Sequence, residues 1–284
     1  MLLIGGNDAG KSNYIGRFWL AVRSGTGRLE RDGSPDDQEY LESLAQPILS
    51  GEFAPHTSHD VHNRSIIPVR SRVGQPLAGQ LTVPDCSGEQ WLKMYKKRSW
   101  ARTWDDFITE GSGCLLFIRV DSEQNVSPMD WIAFHNVFQS TTATVQPQTE
   151  ETPTQVVAVD WLQCLRKAYT DRVGGSYRPR AGIVLTAWDL IPEDRRDIGP
   201  DGYLRENYPL LKDFMESCGR DFDFCSFGVS VFGGDPQHDT VFKEKYLEDA
   251  LNAGYVVHSV LGSLRTSADM TLPVAWTLGA ELEA

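Results

Sequence analysis

Leu2-Leu3-Ile4-Gly5-Gly6-Asn7-Asp8-Ala9-Gly10-Lys11-Ser12 is the stretch that decides the fold. Leu2–Ile4 is a short apolar run of the buried-strand kind. After Ser12, the apolar residues Tyr14, Phe18, Leu20 and Val22 open a helical pattern. Strand, glycine-rich turn and helix form the context that a GxxxxGK[ST] phosphate loop requires. Its glycines let backbone N–H groups crowd around phosphate oxygens, and the helix N-terminus adds positive partial charge. Lys11 is expected to contact the outer phosphates. The Ser12 hydroxyl is expected to ligate Mg²⁺.

Working outward, strands and helices alternate. A helix is predicted over 36–50. Ser65–Val69 and Leu77–Val83 read as strands whose short connection forces antiparallel pairing. The second run ends in Asp85-Cys86-Ser87-Gly88, an acidic residue and a glycine at a strand terminus. There the carboxylate can hold Mg²⁺ while the Gly N–H approaches a terminal phosphate. Further strands are predicted at Cys114–Val120, Gly182–Thr186 and Phe227–Phe232, with helices over 90–100, 156–170, 204–215 and most of 243–264. A Thr-, Gln-, Glu- and Pro-rich stretch, 141–154, reads as a mobile loop. The fold class is therefore α/β with a mostly parallel sheet. Ligands on such sheets bind at the C-terminal strand edges, where Gly5–Ser12, Asp85 and Asp189 all fall.

Composition narrows the function. The 284 residues include 39 acidic and 27 basic side chains, a net charge of −12, which repels phosphate backbones and anionic lipid surfaces. Nucleic acid is therefore not an expected partner. No apolar run approaches the ~18–20 residues of a bilayer span, and the start lacks a secretory signal. Cys86, Cys114, Cys164, Cys218 and Cys225 form no CxxC pair and read as reduced thiols of a cytoplasmic protein. His56, His59 and His62 recur at every third residue without a completing ligand set. The basic cluster Lys93, Lys96, Lys97 and Arg98, and the pair Arg195-Arg196, read as solvated surface.

With Thr186-Ala187-Trp188-Asp189 and Ser230-Val231-Phe232 added, the order of signals resembles the Ras-like, TRAFAC-class P-loop GTPases across nearly the whole chain. Segments such as Leu49–Thr57 and Leu272–Trp276 look most like the bacterial double-GTPase group of conflict-type systems. The resemblance implies one P-loop GTPase domain over 1–284, with an insertion at about 121–154 and a helical C-terminal extension at about 240–284. It implies a six-stranded sheet with one antiparallel strand, and Mg²⁺-GTP as ligand.

Position by position, Gly5, Asn7, Asp8, Ala9, Gly10, Lys11, Ser12 and Asn13 would cradle the phosphates. Thr57, with Ser58 as a rival, would close on Mg²⁺ and the γ-phosphate. Asp85 would hold Mg²⁺ through water, and the Gly88 N–H would sense the γ-phosphate. Thr186, Trp188, Asp189, Ser230 and Val231 would surround the base, with the Asp189 carboxylate accepting both hydrogens of the guanine edge.

Two departures carry consequences. Thr186 and Ala187 stand where the family has Asn and Lys, and that Lys normally packs on the base and braces the phosphate loop. Glu89, followed by Gln90, stands where a water-orienting Gln is usual, so slow turnover aided by an activating protein is expected. The alternatives are a binding scaffold that scarcely hydrolyses its nucleotide and an ATP-using P-loop enzyme.

Overall fold

The structure, a computed structural model, describes residues 1–55, 64–74, 76–84, 88–98, 102–122, 125 and 152–282. Strand β1 (Leu2–Gly5) pairs in parallel with β5 (Cys114–Arg119), β5 with β6 (Arg180–Thr186), and β6 with β7 (Asp223–Ser230). Beyond β7, β8 (Tyr255–Val260) and β9 (Ser263–Ser267) complete a six-stranded sheet in the order β1-β5-β6-β7-β8-β9. Only β8 runs against the others, pairing antiparallel to both of its neighbours. The mostly parallel α/β architecture and its one reversed strand are as the sequence led us to expect.

A second sheet holds β2 (Leu29–Arg31), β3 (Arg64–Ser71) and β4 (Ala78–Pro84), all antiparallel. The two sheets meet at Met1. Its nitrogen donates to the Gln80 carbonyl at 3.3 Å and its carbonyl accepts from the Thr82 N–H at 3.4 Å. Hydrogen bonds to residues on either side of Leu81 are the pattern of a parallel bridge. Strand β4 is thus seated beside β1.

Strand alternation divides the interior into two cores. Leu3, Leu115, Phe117 and Val184 face helices α1 (Lys11–Ser24), α2 (Gln38–Leu49) and α8 (Leu272–Thr277). Leu2, Ile4, Leu116, Ile118 and Ile183 face α3 (Gly88–Lys97), α4 (Thr154–Val173), α5 (Gly199–Asn207) and α6 (Pro209–Ser217). Burial on both faces explains why these strands read as continuous apolar runs. Trp19, Trp91 and Trp188 are fully enclosed, each worth roughly 2–3 kcal/mol of transfer free energy.

Three expectations are corrected. The segment 243–264 is not mostly helical, so the extension over about 240–284 is not a helical one. Helix α7 (Thr240–Glu248) ends early, and β8 and β9 follow, joined by Leu261 and Gly262 at φ 49° and 79°. The predicted helix over 204–215 is two helices, because Pro209 has no N–H to continue the first. Strand β2 lies within the turn-rich stretch 24–35, where Ser24-Gly25-Thr26-Gly27 and Asp32-Gly33-Ser34-Pro35 predict a loop. The segment 126–150 lies outside the described residues.

Candidate nucleotide site

Gly5 ends β1 opposite Phe117, and the chain turns before entering α1 at Lys11. Two residues in that turn are left-handed, Asp8 at φ 57° and Gly10 at φ 79°. Such turns aim successive N–H groups inward as an anion-binding nest. Gly10 has a second constraint: a Cβ there would lie 2.8 Å from Thr186 Oγ1. Helix α1 has no acidic residue in its first turn and no side-chain cap, so its positive end is directed at the turn. Lys11 Nζ donates to the carbonyls of Gly5 and Gly6, both at 2.7 Å, holding the ammonium over the loop.

Thr186 ends β6, fully enclosed, and its hydroxyl donates to the Ala9 carbonyl at 2.9 Å. It braces the phosphate loop from below. Ala187 follows at φ 54°, and a 3₁₀ turn, Trp188–Leu190, comes next. Trp188 does not join the site. Its indole lies in the core, so close to Gly228 that a Cβ there would sit 2.4 Å from the ring, and it meets Tyr203 edge-on at 5.8 Å. The expectation that Trp188 contacts a base is corrected accordingly.

Asp189, one residue later, lines a cavity of about 190 Å³ together with Gly10, Asn13, Phe53, Val231 and Phe232. Phe53 and Phe232 meet edge-on at 5.3 Å. Asn13 Oδ1 accepts from the Ala54 N–H at 2.7 Å, which ties α1 to the segment carrying Phe53. Ser230 is buried behind the cavity, where its hydroxyl accepts from the Gly233 N–H at 2.8 Å and shapes the turn presenting Val231. At the rim, Asp235 pairs with His238 Nδ1 at 2.8 Å. Slight burial pushes the Asp235 carboxyl up, but hydrogen bonds from the His238 side chain and from the His238 and Gln237 N–H groups hold it below its usual value.

A second cavity of about 300 Å³ lies across the loop, lined by Gly6, Asn7, Ala9, Leu92, Lys96 and Tyr208, among others. Lys93, Lys97 and Arg98 are exposed, and Arg98 holds Asp160 at 2.5 Å. Among the described residues there are four free cysteines and no cluster of His, Cys, Asp or Glu able to hold a metal.

Of the expected metal set, the Ser12 hydroxyl lies half-buried at the start of α1. Thr57 and Asp85 lie outside the described residues, as do Ser58, Cys86 and the three histidines. A hydroxyl oxygen beside a phosphate-binding turn suits Mg²⁺, which takes protein and phosphate oxygens together. Strand β4 ends at Pro84 and α3 begins at Gly88. Gly88, Glu89 and Gln90 therefore form its first turn.

Arg196, read in the sequence as solvated surface, is structural. Its Nη2 donates to the Asp189 carbonyl and its Nε to the Ile191 carbonyl, both at 2.8 Å, which pins the loop bearing Asp189. Phe53 and Arg119 also line the cavity, and sequence reasoning assigned neither. The one signal for Arg119 was a cation closing the apolar strand Cys-Leu-Leu-Phe-Ile-Arg.

No helix among the described residues is long and apolar enough to cross a membrane. Neither the curated proteins nor the solved structures include a match to this chain. The family model described as Double-GTPase 1 matches residues 2–277, a span that takes in the Gly5–Ser12 turn, both sheets and the Asp189 cavity. With a phosphate-loop turn and an acid-bearing cavity meeting at Gly10, and a family match over nearly its full length, the chain belongs to the Double-GTPase 1 family.

Proposed function

We propose that this chain binds GTP and hydrolyses it slowly to GDP and phosphate as a Mg²⁺-dependent switch read by a protein partner in the cytoplasm. We take residues 1–284 as one such domain. The observation that carries the reading is the position of Gly10, which belongs to the phosphate-loop turn and also lines the cavity holding Asp189. One ligand can therefore place a polyanion on the turn and a planar base against the carboxylate.

The loop N–H groups and the Lys11 ammonium bind and orient the phosphate oxygens. Ser12, Thr57 and Asp85 would hold the metal, which when bound neutralises charge on the phosphates. The Gly88 N–H donates toward the γ-phosphate, and Glu89 or Gln90 orients the attacking water. The Glu89 charge opposes the γ-phosphate, so turnover is slow, on the order of 10⁻³ s⁻¹ or below without a partner. Asp189 selects guanine, since a base lacking two donors leaves its carboxylate unpaired.

Equilibrium binding of GDP, GTP and ATP to the purified chain, with Lys11→Ala alongside, tests this reading. It requires guanine over adenine and a loss of at least a hundredfold in the variant. ATP preference would instead support the ATP-using enzyme, and tight GDP and GTP binding with no phosphate release would support the scaffold.

A further inference from the structure

Ala187 offers only a methyl group to the cavity, and Trp188 is withdrawn into the core. The turn that carries Asp189 therefore presents no cation to cover the face of a base, only the apolar Leu190. The neighbouring strand does present one. Side chains alternate across β5: Leu116 and Ile118 pack with α4, whereas Leu115 and Phe117 pack with α1. Arg119 continues the second series. It stands opposite Thr186 in the register and lines the same cavity as Gly10, Ala187 and Asp189.

Its guanidinium is exposed, and no acceptor or carboxylate among the described residues pairs with it. Several other arginines of this acidic chain are paired. Arg23, Arg98, Arg166, Arg178, Arg180 and Arg195 each hold a carboxylate. A planar, weakly hydrated cation left unpaired at a cavity containing Phe53, Phe232 and a carboxylate suits the face of an aromatic ligand.

We propose that Arg119 lies on the face of the bound purine and supplies from β5 the cation that Ala187 cannot. The inference rests on the guanine reading above. Asp189 then reads the edge of the base while Arg119 covers its plane, so both affinity and the seating of the base depend on a residue outside the base-reading segment.

Calorimetric titration of GMP, GDP and GTP into wild-type and Arg119→Ala protein tests the assignment. A cation on a π face is worth roughly 3- to 30-fold in affinity. The variant should lose that factor equally for all three nucleotides, with an unchanged melting midpoint when ligand-free, because the side chain holds no partner. A loss that grows with each added phosphate, or falls on GTP alone, would make Arg119 a phosphate ligand and overturn the proposal. Unchanged affinities would overturn it too. A wild-type chain that binds none of the three would instead remove the guanine reading, a result distinguishable from either.

Discussion

The Thr186 hydroxyl donates to the Ala9 carbonyl at 2.9 Å while its side chain lies directly beneath the Gly10 Cα. The segment proposed to read the base and the Gly5–Ser12 turn are thereby joined by one enclosed hydrogen bond, although the Asn and Lys that the resemblance implies for that segment are absent. Thr186→Val keeps the shape and leaves the Ala9 carbonyl without its donor. An unmet buried acceptor costs about 1–2 kcal/mol. We expect GDP affinity to fall roughly tenfold in Thr186→Val and to stay within about threefold of wild type in Thr186→Ser, measured by the same titration.

Asp189 provides the second prediction. Asparagine in its place offers one acceptor and one donor, which leaves a guanine donor facing an N–H. Xanthine carries an oxygen at that position of the ring. Asp189→Asn is expected to lower GDP affinity by a hundredfold or more and to raise xanthosine diphosphate affinity. Competition of both nucleotides against one labelled ligand gives the two numbers. Unaltered preference would mean that Asp189 does not read the base.

A buried network ties the helix that begins at the phosphate loop to the C-terminal part of the chain. Arg17 on α1 donates through Nη1 to the Ala250 carbonyl and through Nη2 to the Tyr246 hydroxyl, which donates in turn to the Ile48 carbonyl at 2.6 Å. Burial pushes the Arg17 guanidinium below its ordinary value, against the influence of Tyr246. Tyr246→Phe strips an acceptor from a buried cation and a donor from Ile48, so urea unfolding should show about 2–4 kcal/mol of lost stability. Adding Arg17→Met should recover part of it, because the unpaired charge goes as well.

His258 on β8 sets a pH dependence. Burial, then the nearby Arg28 and Arg265, lowers its proton affinity below the ordinary value of 6.5, and Nδ1 has no partner. The unfolded chain therefore binds a proton near pH 6.5 that the folded chain refuses, so stability falls as pH drops from about 7.5 toward 5.5. Below the folded value this contribution levels off. His258→Phe should flatten the slope of melting midpoint against pH over that interval.

Much of this could be read from the sequence because it rests on local chemistry. The spacing from Gly5 to Ser12 fixes a strand, turn and helix, and the apolar runs at Cys114 and Gly182 fix buried parallel strands. The antiparallel pair β8 and β9 is not legible in the same way. Tyr255-Val256-Val257 joins an aromatic to two β-branched residues, a strand signal, but it follows a genuine helix closely enough to read as part of its period. The site was half legible. Asp189 stood out by its position after a strand, whereas the fate of Trp188 depended on Gly228, forty residues away, whose missing side chain admits the indole. Arg119 was hidden because only sheet register sets it beside Thr186.

That indole has a consequence for how selectivity can fail. Asp189, the carboxylate proposed to read the base, is the immediate chain neighbour of a side chain clamped between strand and helix, so on that reading interior and recognition share a hinge of a single peptide unit. Loosening of the interior around β7 would then reach the recognition edge first, and a warmed or lightly damaged chain would begin to accept the wrong nucleotide while most of its secondary structure was still intact.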